Sequence, residues 1–284
     1  MKQKYTKTSN PLLKLESNTN AHNLNYICPK ILTDTHSHLY DSKFIDDQKE
    51  VIQRAFEEDV NRIFLPNVDT NTVLGMLDVV KQYPENCFAM MGLHPCHVKE
   101  NYREELKELK SHLDTNSFCA VGEIGMDLYW DKTFLEEQKD AFRTQIRWAK
   151  EKKLPIAIHC RDAFNEIFEI LEEEKSEDLR GIFHCFTGTL AQAKRAINLN
   201  LYLGIGGVVT FKKAGLDKVI QQISLKHLVL ETDSPYLAPS PNRGKRNESS
   251  YLIHIAQKIA DLHQISVAEV AKITTENSKT IFGF

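Results

Sequence analysis

Residues 33–38 read Thr-Asp-Thr-His-Ser-His and follow an apolar pair at 31–32. In a β-strand, residues two apart point to the same face, so His36 and His38 are expected to project together, on the side that carries Asp34. Two imidazoles on one face at the end of a strand can bind one metal ion. Taken alone, such a pair also fits two surface or core histidines, so the interpretation depends on partners elsewhere in the chain.

From residue 31 onward, short apolar segments alternate with charged, amphipathic segments of helical length. Predicted strands cover 31–36, 62–65, 87–93, 118–123, 155–159, 181–185, 201–206 and 228–231. Predicted helices cover 46–59, 70–83, 103–114, 133–153, 163–175, 189–198, 215–223, 250–264 and 267–284. Apolar strands that alternate with helices indicate parallel βα units covered on both faces. Eight units predict an α/β fold, the (β/α)8 TIM barrel; the alternative is a doubly wound open sheet, for which the sequence lacks a nucleotide-binding glycine motif.

Length, composition and charge set limits on the class of protein. The 284 residues are 42% apolar, which suits one large domain, predicted at 31–284. Residues 1–30 are polar and predict a flexible tail or a vector-derived segment. The net charge of −3 does not indicate a nucleic-acid binder, so a basic site must be local. Six cysteines without a C-x-x-C pair, and no apolar run of membrane-spanning length, predict a cytoplasmic protein without membrane contact or an obligate protein partner.

Polar side chains cluster where the predicted strands end. In a parallel barrel the carboxyl ends of all strands open on one face, so residues spread over the sequence are expected to converge there. A single histidine is most often structural, and a single carboxylate is often a cap or a turn former. Five histidines and two carboxylates in the same phase nevertheless predict a metal site. They are His36, His38, His94, Glu123, His159, His184 and Asp233.

Five motifs resemble the TatD family of metal-dependent deoxyribonucleases, in that family's order and spacing. They are Thr-Asp-Thr-His-Ser-His at 33–38, Gly-Glu-Ile-Gly at 122–125, Phe-His-Cys-Phe-Thr-Gly at 183–188, Glu-Thr-Asp-Ser-Pro at 231–235 and Arg-Gly-Lys-Arg-Asn-Glu at 243–248. The resemblance covers residues 31–284. It implies a TIM-barrel metallohydrolase of the amidohydrolase-like superfamily.

The resemblance also implies roles for individual residues. It implies that one metal ion is held by His36, His38, Glu123 and Asp233. It further implies that Glu123 bridges to a second ion held by His159 and His184, and that His94 lines the substrate phosphate site.

The chain departs from the family pattern at two positions. Cys96 stands where the family often has histidine, and Ser249 stands where it often has proline. We expect the second change to affect only the entry to the following helix.

These residues permit metal-assisted hydrolysis. Two divalent ions held by a shared carboxylate lower the pKa of a water and polarise a phosphoryl oxygen, and Asp233 is the candidate for orienting that water or accepting its proton. Arg161 is suited to bidentate phosphate contacts. Arg243 and Lys245 lie in a loop after the last strand, where we favour substrate contact over a solvated turn.

Three aromatic residues, Tyr129, Trp130 and Phe211, follow the fourth and seventh predicted strands. They could stack on unpaired bases or pack in the core or a lid. The resemblance implies magnesium, whereas imidazole ligands suit zinc or manganese better. We therefore expect two divalent ions per chain, drawn from Mg, Mn or Zn.

Two classes of function fit these features. The first is a hydrolase that cleaves phosphodiester bonds of DNA, or of RNA, as an exonuclease on single strands or 3′ ends. The alternative is a hydrolase of an ester or amide, such as an aminoacyl-tRNA ester, because fold and metal ligands alone do not separate the two. The basic residues Arg161, Arg243 and Lys245 favour phosphate. A catalytically inactive binding protein is disfavoured because every expected ligand is present.

Overall fold

The computed structural model describes residues 31–284, and the predicted tail at 1–30 lies outside the described residues. Eight parallel strands form one sheet in which neighbours in space are neighbours in sequence. They are β1 (Leu32–Asp34), β2 (Val60–Pro66), β3 (Cys87–Met91), β4 (Ala120–Asp127), β5 (Ile156–Arg161), β6 (Gly181–Phe183), β7 (Leu201–Ile205) and β8 (Leu228–Leu230). The Thr35 N–H donates to the Leu230 carbonyl at 3.0 Å, and Ser37 bridges to Ser234, so the first and last strands meet. The predicted (β/α)8 barrel is confirmed.

Helices follow each strand and cover the outside of the barrel. They are α1 (Gln48–Glu57), α2 (Val73–Gln82), α3 (Tyr102–Thr115), α4 (Leu135–Lys152), α5 (Phe164–Glu173), α6 (Leu190–Asn198), α7 (Leu216–Ile220), α8 (Leu252–His263) and α9 (Val267–Phe282). Local chemistry fixes several ends: Thr189 and Gln192 form a capping box at α6, and Gly283 ends α9 with a φ of 76°. None of the helices within 31–284 is long and apolar enough to cross a bilayer.

The barrel interior is apolar at one end only. Six inward-facing side chains from six strands form a layer: Phe64, Met90, Ala120, Ala157, Ile182 and Val229. Ile281 and Phe282 of α9 pack against this layer and close the amino-terminal end of the barrel. A second apolar layer lies between the strands and the outer helices. Both layers exclude water, and the buried histidines and Glu123 lie at the opposite, carboxyl-terminal end.

Strand ends differ from the predicted ones where the backbone is irregular. β4 continues four residues beyond the predicted end and pairs with β5 as far as Asp127 and Arg161. Gly125 permits this because its φ is +138° and a Cβ there would lie 2.1 Å from the His159 carbonyl oxygen. Conversely, β1 and β6 are shorter than predicted, so His36 and His184 follow their strands instead of ending them.

Candidate metal centre

A buried carboxylate, Glu123, lies in the middle of the carboxyl-terminal face and is 2% exposed. Its Oε2 faces His36 Nε2 at 3.0 Å and His38 Nε2 at 3.7 Å. Asp233 extends the same group, with Oδ1 at 3.6 Å from His38 Nε2. The junction of β1 and β8, where the barrel closes, is called the seam. It positions these residues, because the Asp233 N–H donates to the His36 carbonyl at 2.9 Å.

The other oxygen of Glu123, Oε1, faces three further imidazoles. His159 Nδ1 lies at 2.8 Å, His94 Nε2 at 3.4 Å and His184 Nε2 at 3.6 Å. His184 also approaches Asp233, with Nε2 at 3.7 Å from Oδ1. The seven predicted residues are therefore brought together around one carboxylate that has a separate group of imidazoles on each oxygen.

This donor set fits divalent ions. Four overlapping groups have ligand atoms within 4.8 Å of one another: His36-His38-Asp233, His36-Glu123-His184, His94-Glu123-His159 and His184-Cys185-Glu231. Nitrogen and carboxylate oxygen are the donors that zinc, manganese and related ions accept. The buried Nδ1 of His36 also lacks a hydrogen-bond partner among the described residues, as expected where a ring is held for something other than a protein hydrogen bond.

Electrostatics around Glu123 favour a cation. Burial would raise the pKa of Glu123, but the facing imidazoles, His94 and His36 first among them, hold it well below its usual value. Burial lowers the pKa of His94 to about 4. Burial would also lower the pKa of His184, yet the carboxylates around it, led by Glu231, raise it to about 10. A bound cation can replace such an imidazolium proton and satisfy the same carboxylates.

The outer contacts of three rings indicate which nitrogen would face a bound cation. Tyr40 donates its hydroxyl proton to the Pro66 carbonyl and therefore accepts from His38 Nδ1 at 2.9 Å. His159 donates from Nε2 to Asp127 Oδ2 at 2.9 Å and from Nδ1 to Glu123 Oε1 at 2.8 Å, and these bonds outweigh burial and raise its pKa to about 9. A cation that replaces the Nδ1 proton would leave the Nε2–H on Asp127. His184 Nδ1 lies 2.9 Å from a carboxylate oxygen of Glu231 but is not aligned for a hydrogen bond with it, and Nε2 is the nitrogen that faces Glu123 and Asp233.

His94 has the opposite tautomer. Its Nδ1 accepts a hydrogen bond from the Cys96 N–H at 3.1 Å, so the ring proton belongs on Nε2, which points at Glu123. A ring in this state donates a hydrogen bond into the centre instead of offering a lone pair.

Asp127 and Glu231 are functional candidates that were not predicted from the sequence. Asp127 Oδ1 accepts from the backbone N–H groups of Tyr129 and Trp130 at 3.0 and 3.3 Å, which fixes the carboxylate against His159. The signal was present in the sequence, because Asp127 has the same strand phase as Glu123, but the predicted strand ended before it. Glu231 was placed in a motif without a role of its own.

Asp34 does not join the metal group on the side where strand alternation placed it. It is fully buried and accepts from the Thr232 N–H at 2.9 Å and the Thr232 hydroxyl at 2.6 Å. Burial raises its pKa to about 7. Asp34 therefore ties β1 to the loop that carries Asp233.

The three predicted basic residues do not form one group. Arg161 ends β5 and stacks on Tyr129, with its guanidinium 3.8 Å from the ring centroid. Arg243 stacks on Phe211 at 3.9 Å. Lys245 instead lines a cleft of about 660 Å³ on the flank of the barrel, together with residues of α1 and α8.

The two departures from the family pattern both lie near the site. Burial and the nearby Asp127 carboxylate raise the pKa of the Cys96 thiol to about 12, so the thiol stays protonated. Ser249 begins the turn that leads into α8, as expected, and its hydroxyl also donates to Ser37 at 3.3 Å. The expectation that Ser249 affects only the helix entry was therefore too narrow.

Comparison with known proteins adds independent findings. The family described as TatD related DNase matches residues 33–283. The chain is 43% identical over 256 residues to the uncharacterized metal-dependent hydrolase YabD of Bacillus subtilis, covering 89% of this chain and 99% of that protein. It is 32% identical over 252 residues to the 3′-5′ ssDNA/RNA exonuclease TatD of Escherichia fergusonii, covering 86% and 96%. The crystal structure of YJJV, a TatD homologue from Escherichia coli K12, superposes with a TM-score of 0.84 at 28% identity, covering 89% and 98%.

Proposed function

This chain belongs to the family of TatD-related DNases, metal-dependent hydrolases, and on that premise we propose that it cleaves phosphodiester bonds of DNA as an exonuclease on single strands or 3′ ends. The Escherichia fergusonii relative is named for RNA as well as single-stranded DNA, so RNA is included as a substrate of the proposed activity. The site would hold two divalent ions, drawn from Mg, Mn or Zn.

The observation that carries the proposal is the division of the rings by their outer partners. Outer partners hold His38 Nδ1 and His159 Nε2, so each ring can offer its other nitrogen to a cation beside Glu123, and His184 turns its Nε2 towards the same carboxylate. His94 instead accepts at Nδ1 and directs an N–H at Glu123. This division supports the first three as metal ligands and His94 as a hydrogen-bond donor to a substrate phosphate oxygen.

On this proposal Glu123 contributes to both ion sites. His36, His38, Glu123 and Asp233 would hold one ion, and Glu123, His159 and His184 would hold the other. Divalent ions in such sites supply Lewis acidity towards a phosphoryl oxygen and make a nearby water more acidic. Asp233 is then the group that orients this water or accepts its proton, because its Oδ1 lies between the two sites, near His38 and His184.

Substrate phosphates are proposed to contact His94 from inside the site and Arg161, Arg243 and Lys245 from its edge. Arg161 follows His159 on β5 and is exposed, so its guanidinium is available for paired hydrogen bonds to phosphate. Lys245 is the weakest member of this set, because its amino group lies 3.4 Å from Asn242 and faces the flank cleft.

The decisive test is a substrate comparison. Purified protein with Mg, Mn or Zn would be incubated with end-labelled single-stranded DNA, duplex DNA and RNA, and beside them with a panel of carboxyesters. We expect single-stranded DNA to be shortened from its 3′ end in a metal-dependent reaction. Hydrolysis of the carboxyesters without any cleavage of nucleic acid would refute the proposal and favour the ester hydrolase.

A further inference from the structure

Exposed large apolar side chains follow the carboxyl ends of four strands, β1, β2, β4 and β8. Within 31–284 they are Ile45, Leu74, Tyr129, Trp130, Tyr236 and Leu237. Each belongs to a loop, or to the first turn of a helix, that follows the carboxyl end of a strand. They therefore lie towards the end of the barrel that carries Glu123. Exposed apolar groups gathered on one face mark an interaction surface.

Cationic side chains are stacked on the aromatic members of this group. Arg161 lies over both Tyr129 and Trp130, with its guanidinium 3.8 and 5.1 Å from the ring centroids. Two further pairs repeat the arrangement: Lys43 over Tyr236 at 4.3 Å and Arg243 over Phe211 at 3.9 Å. We call these seven residues the rim.

The rim places a cation beside an aromatic ring at three positions. Each cation can meet a phosphate, and each partly exposed ring offers a π-face beside it. Trp130 is 70% exposed and Tyr129 is 54% exposed, so much of each ring is open to solvent even with Arg161 in place. A planar base that is not already stacked in a helix can cover that surface.

We propose that the rim binds several nucleotides of single-stranded nucleic acid beside the scissile bond, with unpaired bases stacked on Trp130 and Tyr236. Phosphates of the same strand pair with Arg161, Lys43 and Arg243. The proposal rests on the proposed phosphodiesterase function and adds to it that the substrate is recognised through its unpaired bases. A duplex is excluded because its base faces are covered by their neighbours.

Fluorescence of Trp130 tests the binding directly. The chain has two tryptophans, and Trp148 is 8% exposed on α4, so the Trp148→Phe protein reports from Trp130 alone. This protein, loaded with Mg, would be titrated with a hydrolysis-resistant phosphorothioate oligothymidylate on the order of ten nucleotides, a typical length for a stacking groove. We expect saturable quenching by the single strand and none by a duplex of the same length. Equal quenching by the duplex, or none by either, would overturn the proposal.

Kinetics separate the rim from the metal centre. Trp130→Ala should lower kcat/KM for single-stranded oligonucleotides at least about fivefold, the lower end for loss of one base stack. Hydrolysis of bis(p-nitrophenyl) phosphate, which is too small to span centre and rim, should stay within about twofold. Trp130→Phe, which keeps a ring, should recover most of the loss.

A matched control tests the cation. Arg161→Ala should weaken oligonucleotide binding, whereas Arg103→Ala should not, although Arg103 is also exposed and stacked on an aromatic ring, Tyr102, at 5.2 Å. Arg103 lies on α3, on the flank of the barrel. Equal effects of the two changes would refute the rim. If the unaltered protein cleaves neither DNA nor the small diester, the phosphodiesterase function fails, whereas cleavage of both with no effect of Trp130→Ala means that the rim fails alone.

Discussion

Replacement of Asp127 by asparagine tests whether outer carboxylates set the metal affinity. Asp127 Oδ1 accepts from two backbone N–H groups of its own turn, and Oδ2 lies 2.9 Å from His159 Nε2. In Asp127→Asn the turn retains the side-chain oxygen, because only an acceptor satisfies those two donors. The amide NH2 then faces His159 Nε2, and the ring proton must move to Nδ1.

That proton would stand where His159 is proposed to bind metal. Loss of such an outer partner costs 10- to 100-fold in metal affinity or activity, which corresponds to about 1.4–2.7 kcal/mol. The metal-free protein should unfold near its usual temperature, because the change preserves the size of the side chain and the hydrogen bonds of the turn. Asp131→Asn, in the same loop but exposed and paired with Lys99 at 3.6 Å, is the matched control.

The assay is calorimetric titration of the metal-free proteins with Zn or Mn, alongside hydrolysis of single-stranded DNA. Asp127→Asn should bind at least one ion 10- to 100-fold more weakly, with Asp131→Asn unchanged. Unchanged affinity in Asp127→Asn would show that His159 is not a ligand through Nδ1. An affinity loss that comes only with collapse of the metal-free fold would assign Asp127 a structural role.

Three further outcomes follow from the same geometry. A chelator such as EDTA should abolish hydrolysis and a divalent ion should restore it, and full activity of the metal-stripped protein would contradict the metal centre. Glu123→Gln should lower turnover at least about 100-fold, measured as kcat on single-stranded DNA, because it removes the charge shared by the two proposed ions; activity within a few-fold would make Glu123 a structural carboxylate. Burial raises the pKa of Glu248, but hydrogen bonds led by that from Arg54, at 2.6 Å, lower it below its usual value overall. The stability that Glu248 contributes is therefore present above its unfolded pKa and is lost as the pH falls through its folded pKa. Glu248→Gln should therefore make the free energy of unfolding, measured by urea titration, fall less steeply at acid pH. An unchanged dependence of that free energy on pH would contradict this linkage.

The barrel could be predicted from sequence because each βα unit carries its own local signal. Apolar strands and amphipathic helices alternate eight times, and local pattern alone gives that order. The strand ends could not be predicted, since they depend on single backbone irregularities. β4 extends to Asp127 because Gly125 adopts a φ that other residues rarely reach, and a pattern of apolar residues does not encode that angle.

Convergence of the site histidines was predictable for the same reason, since strand ends in a parallel barrel share one face. The hydrogen-bond partners of these histidines could not be predicted. The contact of Tyr40 with His38 depends on a hydroxyl that also reaches the Pro66 carbonyl, and the role of Glu231 depends on where its carboxylate meets His184. The direction of side chains in the loops could not be predicted from the sequence either, as the position of Lys245 in the flank cleft demonstrates.

The seam between β1 and β8 explains why these details matter for the chemistry. His36 and His38 come from one side of the seam and Asp233 from the other, nearly 200 residues later in the chain. The seam is held by the buried Asp34, which accepts from Thr232 across a separation of 198 residues, and by backbone bonds around Ser37. Closure of the barrel therefore assembles one of the two proposed metal sites, and ligands at that site would in turn hold the seam together. Coupling of this kind depends on the register between the first and last strands, which no local stretch of the sequence specifies.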